Sequence, residues 1–405
     1  MQNNPEFLNK SRVPSLTGES PSSIKHDSRN QLGGESLMII GVPKEIKTSE
    51  NRVGLVESGV KAFVREGHKV LIEKDAGVGS GITNTQYEKC GATILDSKKE
   101  VYDKADMIVK VKEPLPEEYS MLRENQILYT YLHLAPEPVL TKALLDRKVK
   151  GVAYETIQLE DGSLPLLVPM SEVAGRMSTQ VGASYLQRDR GGKGILLGGV
   201  PGVKRGRVTI LGGGISGTNA AKMAVGLGAQ VTILDINPKR LEYLDDIFGG
   251  KVQTLFSNIT NIEQTVPETD LLIGAVLVPG AKAPHLVTRE MISHMEKGSV
   301  VVDIAVDQGG CIETCRPTSH KEPTFEVEGV IHYCVPNMPG VFSRTSTYAL
   351  TNVTLKYGLM LANMGVEDAC AKDKALYKGL NVYNGFVAYE QVARDLGLPY
   401  KPLKV

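Results

Sequence analysis

From Met38 onward the chain alternates short β-branched apolar runs with amphipathic stretches. Met38-Ile-Ile-Gly-Val42, Lys69-Val-Leu-Ile-Glu73, Met107-Ile-Val-Lys-Val111, Ile127-Leu-Tyr-Thr-Tyr131 and Gly151-Val-Ala-Tyr154 predict strands, being brief, apolar and bounded by turn residues. Between them, Glu57 to Glu66, Glu117 to Leu122 and Glu137 to Asp146 carry helical spacing. Strand and helix in alternation predict a parallel α/β domain. A longer helical pattern from Ser171 to Gln187 and a glycine-rich stretch from Gly191 to Gly202 lead to a second series. It comprises Val208 to Leu211, Val231 to Asp235, Lys251 to Leu255, Asp270 to Gly274, Ser299 to Asp303 and Val330 to Tyr333, a second parallel sheet. Arg344 to Met364 is helical again and has no sheet of its own, so it is expected to return to the first domain.

One junction in this pattern carries chemistry. The strand Val208-Thr-Ile-Leu211 runs into Gly212, Gly214 and Gly217, a helical stretch follows through Ala220 and Met223, and the next strand ends on Asp235. Gly212 permits the tight turn, Gly214 lets backbone amides approach a pyrophosphate, and Gly217 lets helix and strand pack closely. Amides at the helix start hold the phosphates. Asp235, about 20 residues on, can accept from both adenosine ribose hydroxyls and would repel a 2′-phosphate, which favours NAD over NADP. Strand, turn, helix and acid in order are far more specific than the glycine motif alone. The predicted fold is therefore α/β with two Rossmann-like parallel-sheet domains. Residues 38–165 and 344–405 form a substrate domain, residues 166–343 form an NAD-binding domain inserted into it, and ligands bind in the cleft between them.

Composition narrows the partners. A chain of 405 residues, 41% hydrophobic, is long enough for two cores, and 46 basic against 46 acidic residues leave no footprint for nucleic acid or an anionic membrane. No apolar run approaches the roughly 20 residues that span a bilayer. Residues 1–37 are polar, contain Pro5, Pro14 and Pro21, and show no periodicity, so a disordered leader is expected; its acidic residues argue against a transit peptide. Five scattered cysteines suggest reduced thiols in a cytoplasmic setting, and the Cys311/Cys315 spacing matches no common metal or redox motif. The histidines show no metal-ligand spacing either, so no metal site is expected.

Four polar residues fall at predicted carboxyl strand ends, the edge where open α/β sheets bind ligands. His133, in Tyr131-Leu-His-Leu-Ala-Pro136, is either a proton carrier or a histidine bonded to a loop carbonyl. Arg52, after the first strand, and Lys112, at the end of Met107 to Val111, are surface charges if taken singly. Sharing an edge with a histidine, they suggest a carboxylate substrate. Asp307 follows the Val300–Asp303 run and can face a nicotinamide and a substrate across the cleft, whereas Asp303 inside the run reads as a structural strand-end residue.

The longer blocks carry a resemblance. Met38 to Lys47, Arg52-Val-Gly54, Val109 to Pro114, Met170 to Gly175, Gly198 to Gly202, Gly274 to Pro284, Asp303 to Cys311 and Thr345 to Asn352 resemble the bacterial L-alanine dehydrogenases, a match that runs from Met38 to about Gly365. The resemblance implies NAD-dependent oxidative deamination of L-alanine to pyruvate and ammonium, and the reverse reaction. It implies a catalytic pair at His133 and Asp307, a substrate carboxylate held by Arg52 and Lys112, and a homohexamer. Cofactor contacts carry over to Ser171, Gly212, Gly214, Gly217, Asp235, Val276, Leu277, Val278 and Asn337. Two rivals share the dinucleotide motif: a transhydrogenase-like nucleotide-binding subunit and a catalytically silent NAD-binding protein. Neither has a reason to keep Arg52, Lys112, His133 and Asp307 together.

Overall fold

The structure is a computed structural model and describes residues 37–276, 284–306 and 309–404. Apart from Leu37, the expected leader lies outside these residues. Six strands come first: β1 (Ile39–Val42), β2 (Lys69–Glu73), β3 (Thr93–Leu95), β4 (Met107–Val109), β5 (Ile127–Thr130) and β6 (Lys150–Ala153). Seven follow after a long helix: β7 (Arg207–Leu211), β8 (Gln230–Asp235), β9 (Val252–Phe256), β10 (Leu271–Gly274), β11 (Val300–Asp303), β12 (Thr324–Val327) and β13 (Val330–Tyr333). Near the end of the chain come β14 (Leu380–Tyr383) and β15 (Phe386–Val387).

These strands make two sheets, ordered β15-β14-β6-β5-β4-β1-β2-β3 and β12-β13-β11-β10-β7-β8-β9. Within each, six strands (β1 to β6, and β7 to β11 with β13) are parallel and share one order, third-second-first-fourth-fifth-sixth. Each sheet thus has a switch point where the chain reverses direction across it: between β1 and β4 in the first, and between β7 and β10 in the second. Antiparallel strands finish one edge of each, β14 and β15 in the first and β12 in the second. The central strands β5, β10 and β11 are buried along their whole length, as expected for parallel strands covered on both faces.

Two long helices link the sheets. Val168–Tyr185 packs on the fingerprint helix Ile215–Gly226 so closely that a Cβ on Gly175 would lie 2.1 Å from the Ser216 carbonyl oxygen. Ser343–Lys372 buries Leu350, Tyr357, Leu361, Val366 and Cys370 in the core of the first sheet. It bends at Gly365, whose φ of 75° is open to glycine at little cost. The chain then returns to the first sheet as β14 and β15, joined by a tight turn with positive φ at Asn384 and Gly385.

Several boundaries differ from the sequence reading: the helix expected over Glu117 to Leu122 is Pro116–Tyr119, and the one expected to end at Met364 runs on to Lys372; two more have a clear local cause. The strand expected to reach Val111 ends at Val109, because the Glu45 side chain, rather than a neighbouring strand, accepts the amides of Val111 and Lys112 at 2.7 and 3.2 Å. The long helix expected from Ser171 starts at Val168, with Pro169 in its first turn, where a missing N–H costs nothing.

Candidate functional site

The turn after β7 has the local structure its glycines require. Gly212 has a φ of 92°, and a Cβ on Gly217 would sit 1.9 Å from the Gly212 carbonyl oxygen, so neither position accepts a side chain. Gly214 differs, because a Cβ there would meet nothing within 4 Å. The space beside it is open at the N-terminus of the 12-residue helix Ile215–Gly226, where unpaired amides and the helix dipole favour an anion. At the end of β8 the half-buried Asp235 accepts from Gly213 N at 2.7 Å and from Asn237 N at 2.8 Å. These bonds orient the carboxylate and leave lone pairs for two hydroxyls. Arg240 donates to Gly213 O at 2.5 Å and to Thr218 Oγ1 at 2.7 Å, tying the helix after β8 to the turn. Open phosphate space, helix start and oriented acid together fit a dinucleotide.

At the first sheet's switch point the chemistry is different. Arg52 is 2% exposed and is gripped on one edge by Glu50, with Nε donating to Oε1 at 2.7 Å and Nη2 to Oε2 at 2.5 Å. Burial disfavours both charges, yet their mutual bonds outweigh it, raising the Arg52 pKa and lowering that of Glu50. Lys112 shares this end of the sheet. Its pKa is lowered from the ordinary lysine value, first by burial and then by the Arg52 charge beside it. Behind it, the fully buried Lys110 donates to Glu45 at 3.1 Å and to Glu118 at 3.0 Å. Glu45 therefore fixes two backbone amides and a buried ammonium at once, and so sets the direction in which the chain carries Lys112.

His133 lies three residues beyond β5 in a left-handed conformation, with a φ of 49°. Glu155, from the turn after β6, holds it there, accepting from His133 N at 2.7 Å and Leu132 N at 3.1 Å and standing 3.8 Å from Nδ1. The imidazole is 44% exposed and lies nearly parallel to the Tyr131 ring, 5.8 Å between centroids. Tyr131 is itself anchored by its hydroxyl to Leu166 O at 2.6 Å. The ring thus projects from a fixed backbone into the cleft.

Arg52, Lys112, Tyr131 and His133 from the first sheet line one cleft of about 210 Å³ together with Met170, Ser171, Ser216, Ala275, Ile304 and Asn337. The structure brings together Arg52, Lys112, His133, Ser171 and Asn337, with the fingerprint turn entering through Ser216, whose hydroxyl donates to Ser171 O at 3.0 Å. Val276 borders the same turn, since its side chain lies 3.1 Å from where a Cβ on Gly212 would be. Asp235 is on the far side of the turn, bonded to Gly213. Leu277, Val278 and Asp307 lie outside the described residues. Asp303 is wholly buried and accepts from Ala305 N and Cys311 N, each at 3.0 Å; burial pushes its carboxyl up to about 6. Among the described residues no group of three or more His, Cys, Asp or Glu side chains is placed to hold a metal, and no helix is long and apolar enough to cross a membrane.

Sequence reasoning missed the acids that position these groups: Glu45, Glu50 and Glu155. Glu50, two residues before Arg52 in the same loop, was the one signal available. Glu45 and Glu155 act on backbone 66 and 22 residues away, a separation that no local pattern encodes.

Known proteins resemble this chain over most of its length. Residues 41–174 match the family described as alanine dehydrogenase/PNT, N-terminal domain, and residues 178–390 match alanine dehydrogenase/PNT, C-terminal domain. The chain is 63% identical over 366 residues to alanine dehydrogenase of Methanococcus maripaludis, covering 90% of this chain and 98% of the relative. It is 60% identical to that of Bacillus subtilis, covering 90% and 96%. Among solved structures, an L-alanine dehydrogenase superposes with a TM-score of 0.87 at 54% identity, covering 89% of this chain and 99% of the other. A transhydrogenase from Sinorhizobium meliloti superposes at 0.76 with 24% identity, covering 87% and 99%, a likeness of fold alone.

Proposed function

This chain belongs to the alanine dehydrogenase/PNT family, and from that membership we propose that it is an NAD-dependent amino-acid dehydrogenase converting L-alanine and water to pyruvate and ammonium, and the reverse. The observation that carries the reading is the pairing of two sites on one cleft: an anchored arginine, a desolvated lysine and an exposed imidazole opposite a dinucleotide turn. A carrier of nucleotides alone needs only the second.

When bound, the dinucleotide supplies the acceptor for the hydride that leaves Cα of alanine. Arg52 and Lys112 hold the substrate carboxylate, which fixes Cα toward the second sheet. His133 takes a proton as water adds to the resulting iminium and returns one to the departing amine, with Asp307 polarising the water or the amine. Gly212, Gly214, Gly217, Asp235, Ser171, Asn337 and the Val276-Leu-Val278 segment contact the cofactor. Residues 38–165 with 344–405 form the substrate half and residues 166–343 the nucleotide half. The assembly is a homohexamer in the cytoplasm, a reading supported by the family resemblance.

The test is direct. NADH is expected to appear when L-alanine and NAD are mixed with the protein at alkaline pH, with far slower reduction of NADP. Exchange between NADH and a thionicotinamide analogue without any alanine-dependent signal would overturn the assignment.

A further inference from the structure

A planar guanidinium offers a carboxylate two edges that each present a pair of parallel N–H bonds, and Arg52 has one edge committed to Glu50. The other edge, formed by Nη1 and Nη2, is the one left for a substrate. In this structure it is occupied. Asn337 Oδ1 accepts from Nη2 at 2.9 Å, and Met170 Sδ accepts from Nη1 at 3.1 Å. Nη2 carries two N–H groups, and Glu50 and Asn337 take one each, so this edge has no matched pair to give a carboxylate while the Asn337 bond stands. The 2% exposure of Arg52 is the same fact seen from solvent.

Asn337 is built for this contact. It follows β13 of the second sheet, adopts a left-handed backbone with a φ of 56°, and sends its amide across the cleft to a residue 285 positions away. Its Nδ2 also donates to Glu50 Oε2 at 3.3 Å, and Gly340 leaves room for the amide, since a Cβ there would lie 2.9 Å from Nδ2. The same residue stands at the carboxyl edge of the second sheet, the edge on which a dinucleotide lies. A ligand there competes with Arg52 for the Asn337 amide.

We propose that Asn337 gates the carboxylate site, occupying the substrate edge of Arg52 until a dinucleotide in the cleft draws it away. The proposal rests on the dehydrogenase reading and adds to it a physical coupling between the two ligands. By linkage the coupling is reciprocal, so each ligand tightens the other by one factor. A hydrogen bond to a charged group corresponds to roughly tenfold to a hundredfold in an equilibrium constant.

The experiment is calorimetric titration of pyruvate into the protein alone and into its NADH complex, for the parent, Asn337→Ala and Asn337→Asp. In the parent, NADH is expected to tighten pyruvate binding by roughly tenfold or more. Asn337→Ala, which keeps the Glu50–Arg52 pair, is expected to bind pyruvate tighter than the parent without NADH, so that NADH adds little further. Asn337→Asp places a carboxylate on the same edge and is expected to bind pyruvate more weakly than the parent in the absence of NADH. A residue that merely steadied Arg52 would give the opposite sign in Asn337→Ala. If the parent complex binds pyruvate and Asn337→Ala alone binds it no tighter than the parent alone, the gate is wrong and the dehydrogenase reading stands. If the parent NADH complex binds no pyruvate, both fall.

Discussion

The two sheets share a strand order and differ in what the chain places at the switch point. Each second strand ends on an acid that accepts an amide from the loop after the first strand, at 2.7 Å in both cases: Glu73 from Lys44 N, and Asp235 from Gly213 N. Beyond that shared brace they diverge. The second sheet spends its first loop on glycines and bare amides, which suit a pyrophosphate. The first sheet spends a longer loop on Glu45, Glu50 and Arg52, which suit a small carboxylate. Topology supplies a crevice in both, and side chains decide what fills it.

The division can be broken from either side, and the largest effect is expected at His133. His133→Ala should lower turnover by roughly 10²- to 10⁴-fold while NADH binding to the protein alone is unchanged, because the imidazole belongs to the first sheet and the phosphate turn to the second. Stopped-flow turnover and NADH fluorescence measure the two separately. Near-normal turnover would reduce His133 to a loop residue.

Next comes Lys112. Lys112→Ala should weaken pyruvate binding to the NADH complex by about 2 to 5 kcal/mol, leaving a substrate carboxylate short of one charge. The pH dependence has a definite sign. The ammonium is charged below its pKa, and that pKa is depressed, so pyruvate binding is expected to be lost as pH rises through a range below that of ordinary lysine. Lys112→Arg should carry that loss to higher pH, and an unmoved profile would remove Lys112 from the carboxylate site.

On the second sheet, Asp235→Ala should weaken NAD by about 1.5 to 3 kcal/mol and relax discrimination against NADP, with pyruvate affinity of the saturated complex unchanged. Unaltered cofactor preference would count against the ribose role. Asp303→Asn should have the smallest effect, a change of slope. The Asp303 carboxyl is raised from 3.8 to about 6, so its contribution to stability is present below the lower value and lost as pH rises through the upper one. Melting temperatures of the asparagine variant should therefore fall less than the parent's between those limits; parallel curves would contradict the assignment.

The sequence made the second sheet easier to read than the first. Its strands are apolar runs, its turn is a dense glycine motif, and its acid comes at a fixed distance, so each signal is local. At the first sheet Arg52, Lys112 and His133 were legible only as charges sharing an edge. What positions them is a bidentate grip by Glu50 in the same loop and two long-range contacts, a backbone brace by Glu45 and a loop clamp by Glu155. The edge strands β3 and β12 were missed because they are short and half exposed, and their patterns resemble loops. The β14–β15 hairpin did carry a signal, the Asn384-Gly385 pair, that the reading passed over.

The glycines of the dinucleotide turn carry separate obligations, and this bears on how such a protein can change over generations. Gly212 and Gly217 are closed to any side chain by backbone atoms of the chain itself, whereas Gly214 borders open space. A step at Gly217 removes the fold and the nucleotide together and leaves a lineage nothing to build on. A step to alanine at Gly214 adds bulk only where the pyrophosphate would lie. A descendant can therefore retire the cofactor and keep both sheets, with a cleft that a second step at Asn337 would open to another use.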